Sequence, residues 1–175
     1  MTRLLLVGFM ATGKTTLGKA LAKDLGLQFI DLDYFIESRF RMTISKLFAE
    51  KGETEFREIE RRMLHEVAEF EDVIVSTGGG TPCFFDNMAY MNQQGTTVQL
   101  VASEDVLFTR LTLAHNQRPL VAGKTETELR QYINEMLEKR APFYSMARYT
   151  FDANRLEDVK QIEESVAAFK KQILF

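Results

Sequence analysis

A glycine-bounded loop near the start of the chain carries the strongest chemical signal in the sequence. Gly8 and Gly13 enclose four residues, and Lys14 and Thr15 follow directly. The loop comes after an apolar run at residues 4–7, typical of a buried strand, and before a helical pattern. Glycines allow a tight turn whose N–H groups converge on anionic oxygens, and the helix N-terminus adds its positive dipole end. The pattern therefore predicts a loop that binds the phosphates of a nucleoside triphosphate.

The residues of this loop have distinct expected roles. Lys14 can reach the terminal phosphates, and the Thr15 hydroxyl is placed to ligate Mg²⁺. Backbone N–H groups of the loop and of the first helical turn supply the remaining contacts. We expect the following residues to bind the nucleotide: Gly8, Ala11, Thr12, Gly13, Lys14, Thr15 and Thr16.

Two acidic residues follow the second apolar run. Asp31 and Asp33 are two apart, so an extended backbone would point both to the same side. One carboxylate could hold Mg²⁺ through water, and the other could take the proton from an attacking hydroxyl. We assign Asp31 to the metal, because the third strand ends in Ser76 and Thr77 without an acid. The alternative is a pair of solvated or helix-capping carboxylates.

A glycine triplet and a charged helix add weaker signals. Gly78, Gly79 and Gly80 could bring bare N–H groups against a ligand, although a flexible turn explains them equally well. Arg57 and Glu60 are three apart in a predicted helix, where the carboxylate could fix the guanidinium. In so charged a helix a plain surface ion pair is the favoured interpretation.

Two further arginines lie where a closing site would need them. Arg118 stands in a polar connection, residues 115–124, that contains Pro119 and Gly123 and is a candidate lid. Arg140 lies at the predicted end of a helix. Taken separately, both could equally be solvated side chains.

The elements that position these groups alternate between strand and helix. We predict a mostly parallel sheet with helices on both faces. In such sheets ligands bind beyond the carboxyl ends of the strands, so three groups of functional residues should form one site. Helix breaks are predicted at Gly52 and near Pro142, and a last helix over about 156–172 with Val159 on its inner face. The predicted strands are residues 4–7, 29–31, 73–75, 97–101 and 149–151.

Composition narrows the class of protein. The chain has 175 residues, 45% hydrophobic and 27% charged, which suits one globular domain. A net charge of -3 argues against nucleic acid as the main partner, and no apolar run is long enough for a membrane helix. A single cysteine, Cys83, excludes an internal disulfide and fits the cytoplasm.

Taken in order and with their spacing, these motifs resemble those of the shikimate kinase family over nearly the whole chain. The phosphate loop alone marks many unrelated proteins, whereas the combined set is specific to this family. The matching segments are residues 8–15, 31–33, 52–60, 76–80, 118–120 and 140–144.

The resemblance implies a function, a fold and residue roles. It implies transfer of a phosphoryl group from ATP, with Mg²⁺, to the 3-hydroxyl of shikimate on the route to aromatic amino acids. It also implies the nucleoside monophosphate kinase fold: an α/β protein of three layers, with five parallel strands in the order 2-3-1-4-5. We expect one domain over residues 1–175, a substrate region at about 32–60 and a lid at about 112–124. The implied contacts are Asp33, Arg57, Gly79 and Arg140 with shikimate, Asp33 also as proton acceptor, Thr15 and Asp31 with magnesium, Arg110 stacked on adenine, and Arg118 in the lid.

Two positions depart from the family pattern. Ala11 stands where many relatives have a further glycine, and we expect little effect from it. The late proline that usually borders the adenine pocket is absent, so we expect residues 152–155, including Arg155, to form that wall.

Alternative functions are another small-metabolite kinase of this fold, such as a gluconate kinase, and a non-catalytic nucleotide-binding module. We expect a monomer that acts on a small molecule, with no nucleic-acid or membrane partner.

Overall fold

Five parallel strands form a single sheet at the centre of the molecule, seen in a computed structural model that describes residues 1–114 and 121–174. The strand order is 2-3-1-4-5, which confirms the predicted order and the parallel pairing. The strands are β1 Arg3–Val7, β2 Gln28–Asp31, β3 Val73–Ser76, β4 Thr96–Val101 and β5 Tyr149–Asp152.

Within residues 1–114 and 121–174, seven α-helices connect and cover these strands. Thr43, Ser103 and Thr125 each cap a helix through a side-chain oxygen that accepts a backbone N–H bond in the first turn. The helices are α1 Lys14–Leu25, α2 Leu32–Phe40, α3 Ile44–Ala68, α4 Asn87–Gln94, α5 Glu104–Leu113, α6 Glu126–Tyr144 and α7 Val159–Phe169.

The central strand β1 is apolar on both faces because both faces are covered. Leu5 and Val7 pack into one hydrophobic core with residues of α2, α3 and α4. Leu4 and Leu6 pack into a second core with residues of α1 and α7. All four side chains are almost fully buried. The continuous apolar run is therefore the pattern of a buried parallel strand.

Strand register brings the carboxyl ends of the first three strands to one edge. Asp31 at the end of β2 pairs with Ser76 at the end of β3, and Leu6 of β1 pairs with the same Ser76. The loop after β1, the acidic residues after β2 and the glycines after β3 consequently emerge side by side. This edge is where an open parallel sheet binds its ligands.

The structure refines one of the predicted helix boundaries and corrects two. The break at Gly52 is present as a kink, with φ 78° and ψ 167° inside α3. Pro142 does not stop α6, which continues to Tyr144. The turn that contains the proline is closed by Ser145 N, which donates to Ala141 O at 2.9 Å. The burial of Tyr144 also anchors this last turn.

The last helix was predicted to begin too early. Asp158 caps α7 by accepting from Gln161 N, so the helix starts at Val159. A residue at the first helical position lies before the apolar stripe, and Val159 is 72% exposed. The prediction that Val159 faces inward was wrong. In the described part of the chain no helix has the length and apolar character to cross a membrane.

Candidate active site

The loop after β1 closes around its own lysine. The Lys14 ammonium donates to the carbonyls of Gly8 at 2.7 Å and Phe9 at 2.9 Å, and the side chain is buried. The Thr12 hydroxyl donates to the same Phe9 carbonyl at 2.9 Å. These bonds fix a compact turn in which a positive charge sits beside the N-terminus of α1.

Left-handed backbone angles make this turn possible. Gly13, the N-cap of α1, has φ 98°, and a β-carbon there would lie 2.3 Å from a methyl carbon of Leu156. Ala11 has φ 63°, in a region that L-residues with a side chain seldom occupy. The departure at Ala11 is therefore a mildly strained position rather than a neutral replacement, because glycine would adopt the same angle freely.

Arg110 ties this loop to the chain after β5. Its guanidinium donates to the carbonyls of Ala11 and Thr12 on one side and of Ala153 and Asn154 on the other. Glu157 completes the set, at 2.8 Å from Nε of Arg110. The adenine contact predicted for Arg110 stays a prediction. The structure adds a second role, that of a clamp joining the loop to the wall of the site.

The first acidic residue after β2 faces the loop. Asp31 Oδ2 accepts from the Thr15 hydroxyl at 3.1 Å, and Oδ1 accepts from the N–H of Tyr34 at 3.1 Å. Asp31 is thus both the N-cap of α2 and a neighbour of Thr15. Hydroxyl and carboxylate oxygens are ligands that Mg²⁺ prefers, so the pair fits a magnesium site.

The second acidic residue is not on extended backbone. Asp33 lies in the first turn of α2, so the argument from strand alternation was wrong for this pair. Both carboxylates nonetheless line the same cavity. Burial, together with the nearby negative charges of Asp31 and Glu60 and against the opposing charge of Lys14, raises the pKa of Asp33 to about 6. A carboxylate with a pKa near 6 can accept a proton close to neutral pH.

Arg57 and Glu60 form a buried pair on α3. Glu60 is 2% exposed, and its Oε1 lies 2.9 Å from Nη1 of Arg57. The Thr81 hydroxyl donates to the other carboxylate oxygen at 2.9 Å, and the guanidinium lies 4.0 Å above the ring of Phe84. The favoured interpretation of a surface ion pair was therefore wrong. This guanidinium is held in one orientation by a carboxylate and an aromatic face.

The three glycines after β3 leave space for three charged side chains. A β-carbon added to each would lie 2.8–3.0 Å from a different side-chain atom, so that side chain would have to shift. Space rather than backbone angle therefore accounts for the triplet, since none of these three glycines has a positive φ, and the flexible-turn alternative misses this packing. The contacts are Asp33 Oδ1 for the first glycine, Arg140 Nη1 for the second and Arg57 Nη2 for the third.

The turn at 78–80 also contacts the phosphate loop. A β-carbon on Gly79 would lie 3.5 Å from the Met10 N. The guanidinium of Arg140, on α6, lies 5.8 Å from the centre of the Phe9 ring in that loop. The triplet thus lies between the loop and the two arginines, and joins them into one site.

A cavity of about 360 Å³ lies at this edge of the sheet. Arg57, Gly80 and Arg140 are not among its lining residues but adjoin it through the glycine turn. Gly8 and Thr12 support the loop from within. The predicted site residues that line the cavity are Ala11, Gly13, Lys14, Thr15, Thr16, Asp31, Asp33, Gly78, Gly79 and Arg110.

One predicted residue stands apart from the site, and another lies outside the described residues. The structure directs Arg155 away from the cavity, to an ion pair with Glu164 at 2.9 Å, and the side chain is exposed. Leu156 and Glu157 line the cavity instead, so the wall predicted at residues 152–155 is shifted along the chain. Arg118 and most of the candidate lid lie outside the described residues.

Sequence reasoning missed several residues that complete the site. Glu157, which holds Arg110, is one of many acidic residues and carries no motif. Phe84 and Thr81, which fix Arg57 and Glu60, follow the glycine triplet but form no recognisable spacing with α3. Their roles depend on contacts between distant segments, which a single sequence does not display.

Fold and site together define a phosphate-loop kinase of small size, with a parallel sheet ordered 2-3-1-4-5 and an acceptor region beside the loop. A sequence model of the shikimate kinase family matches residues 10–173. The chain belongs to the shikimate kinase family.

Curated relatives agree over nearly their full length. The chain is 60% identical to a shikimate kinase of Phocaeicola vulgatus, with 99% of each chain covered. It is 58% identical to a shikimate kinase of Bacteroides fragilis, over 98% of this chain and 96% of the relative.

Solved structures give the same result. A crystal structure of shikimate kinase from Bacteroides thetaiotaomicron superposes with a TM-score of 0.97, at 55% identity and 99% coverage of both chains. Shikimate kinase from Acinetobacter baumannii in complex with shikimate superposes with a TM-score of 0.84. The two are 28% identical, over 98% of this chain and 92% of the relative. A gluconokinase from Sinorhizobium meliloti superposes with a TM-score of 0.52 at 16% identity, which shows a likeness of fold alone.

Proposed function

We propose that this protein transfers the terminal phosphoryl group of ATP to the 3-hydroxyl of shikimate. The observation that carries the proposal is the packing of one carboxylate and two guanidinium groups, from α2, α3 and α6, against the glycine turn beside the phosphate loop. Shikimate offers a carboxylate for the arginines and a hydroxyl for the carboxylate. The Acinetobacter relative, solved with shikimate, supports this choice of acceptor.

The phosphate loop would hold the ATP phosphates through its N–H groups and the N-terminus of α1. Lys14 now donates to two loop carbonyls, which keeps its ammonium inside the turn where the terminal phosphates would lie. We propose that Lys14 transfers at least part of this bonding to the phosphates when ATP binds. Its charge would then oppose the negative charge on the transferred group.

Thr15 and Asp31 would hold Mg²⁺. Their oxygen atoms already face each other at 3.1 Å, on the side of the loop nearest β2. When bound, magnesium would neutralise part of the negative charge on the phosphates. Thr15 and Asp31 would complete its shell together with phosphate oxygens and water, since Mg²⁺ usually retains several waters.

The two arginines would bind the acceptor carboxylate. Planar guanidinium groups form paired, charge-assisted bonds with carboxylates, and two of them fix both position and orientation. Glu60 and the Phe84 ring already hold Arg57 in place, which lowers the ordering cost of binding. The glycine turn would supply backbone groups to the same ring.

Asp33 would accept the proton of the attacking hydroxyl. It lies at the junction of the two ends of the site, beside the glycine turn and within the cavity that holds the phosphate loop. With its pKa raised to about 6, the carboxyl is mostly ionised at neutral pH yet remains a stronger base than an ordinary aspartate.

The remaining assignments are proposals from the family pattern. Arg118, in a lid over about 112–124, would arrive on closure and exclude water from the transferred group. We propose a monomer in the cytoplasm, a compartment that the single cysteine, Cys83, fits.

The proposal is tested by ATP turnover with shikimate, quinate and gluconate as acceptors. We expect turnover with shikimate, and little with gluconate, which lacks the ring that would place its carboxylate and hydroxyl at once. Phosphate transfer to gluconate at the higher rate, or ATP hydrolysis indifferent to all three acids, would overturn the proposal.

A further inference from the structure

The buried hydroxyl of Tyr144 lies between two parts of the acceptor site. Tyr144 is 1% exposed, and its hydroxyl donates to the Gly79 carbonyl at 2.5 Å. The same oxygen accepts from Nη1 of Arg140 at 3.5 Å. A β-carbon on Gly79 would lie 2.9 Å from that same Nη1, so the three residues form a closed set of contacts.

Helix geometry explains why Tyr144 can reach both partners. Because α6 continues through Pro142, Arg140 and Tyr144 lie four residues apart on one helical face. The rest of the tyrosine ring is packed in a hydrophobic core with Phe9 and Ile133. The ring is thereby fixed, and its hydroxyl is directed to the turn after β3.

We propose that Tyr144 is a positioning residue, whose hydroxyl holds the Arg140 guanidinium against the glycine turn in the orientation that receives the acceptor carboxylate. This inference rests on the proposed function. It assigns the residue no contact with the substrate, and its effect on the reaction is carried by Arg140.

The Tyr144 hydroxyl can act as a hydrogen-bond donor throughout the neutral pH range because it stays protonated. Burial raises the pKa of Tyr144 to about 12, against the lowering effect of the nearby Arg140. The hydroxyl therefore always has one proton to donate, and the Gly79 carbonyl is its acceptor. Its lone pairs remain directed at the guanidinium, which has donors only.

The test is a steady-state comparison of wild type with Tyr144→Phe, which keeps the buried ring and removes only the hydroxyl. We expect the KM for shikimate to rise about 3- to 10-fold, the effect of one hydrogen bond, with the KM for ATP unchanged. A change in fold alone would move both values together. An unchanged KM for shikimate would overturn the inference.

A double-mutant comparison asks whether Arg140 carries the effect. In an Arg140→Ala background, adding Tyr144→Phe should change the KM for shikimate by less than about twofold, because the group it positions is gone. Effects that multiply in full would show that Tyr144 acts through something other than Arg140, which would contradict the inference.

Tyr90→Phe is the matched control. The Tyr90 hydroxyl also donates to a backbone carbonyl, that of His65 at 3.3 Å, but it lies on α4 outside the site. This variant should leave both KM values unchanged. If wild type fails to phosphorylate shikimate, the proposed function falls and this inference with it. Wild-type turnover with no effect of Tyr144→Phe removes this inference alone.

Discussion

The nucleotide end and the acceptor end of the site are built in opposite ways. The phosphate loop is a continuous stretch, residues 8–15, whose lysine is held by carbonyls five and six residues before it. The acceptor end draws single side chains from α2, α3 and α6, and packs them on the turn after β3. One end is determined by local sequence, whereas the other depends on how helices pack.

This difference has consequences for substitution. A change in the loop acts on a motif that forms its own contacts, so we expect losses in turnover. A change to either arginine of the acceptor end removes one member of a network, so we expect a selective loss of acceptor affinity. Asp33 is the exception at that end, because a group that takes up the proton of the attacking hydroxyl should affect turnover. The following predictions test that separation, in order of decreasing effect.

Lys14→Met should produce the largest loss. Removing one charged group that faces the transferred phosphate commonly lowers kcat by about 10²–10³-fold. Because Lys14 also donates to two loop carbonyls, we expect the free energy of unfolding to fall as well, by about 1–3 kcal/mol. Steady-state kinetics and urea denaturation measure the two effects. Near-normal turnover would contradict the assignment of residues 8–15 as the loop that binds the ATP phosphates.

Asp33→Asn should lower kcat by about 10²-fold, toward the lower end of the range for a positioned base, since phosphoryl transfer depends mostly on positioning. Added magnesium should not restore the rate, whereas Asp31→Asn should recover in part with excess Mg²⁺. A magnesium titration of kcat on both variants separates the two carboxylates. Rescue of Asp33→Asn instead would exchange their roles.

The same substitution should stabilise the ligand-free protein. The Asp33 carboxyl ionises near pH 3.8 when unperturbed, but its pKa in the folded protein is about 6. Between these values the folded state binds more protons than the unfolded state, so this residue lowers stability as pH rises. The free energy of unfolding of Asp33→Asn should therefore exceed that of wild type by about 3 kcal/mol at pH 7, and by only about 1 kcal/mol at pH 4.5. Denaturation in the presence of a chelator at both pH values measures this, and equal differences would contradict the raised pKa.

Arg57→Ala should raise the KM for shikimate about 10- to 150-fold, the value of a charge-assisted bond, with little change for ATP. Arg61→Ala is its control, because Arg61 lies one turn further along α3, above the Phe85 ring and beside Asp86, away from the glycine turn. A rise of equal size in the KM for shikimate and the KM for ATP would indicate a folding defect rather than a lost acceptor contact.

The same division explains what the sequence could and could not predict. The strands and the phosphate loop were predictable because apolar runs and glycine spacing are local patterns, whereas the order of the strands followed from the resemblance to the family. The burial of Glu60 was not, since a carboxylate in a charged helix looks solvated until Thr81 and Arg57 enclose it. The outward turn of Arg155 depends likewise on Glu164, one element further on.

The most direct test of the acceptor end compares kcat/KM for shikimate and for its methyl ester, in wild type and in Arg57→Ala. Esterification removes the charge that the arginines would bind, while leaving the ring and its hydroxyls. We predict that wild type prefers shikimate by about 10-fold or more, and that Arg57→Ala loses most of this preference. An equal preference in both proteins would contradict the account, because the carboxylate would then be recognised elsewhere.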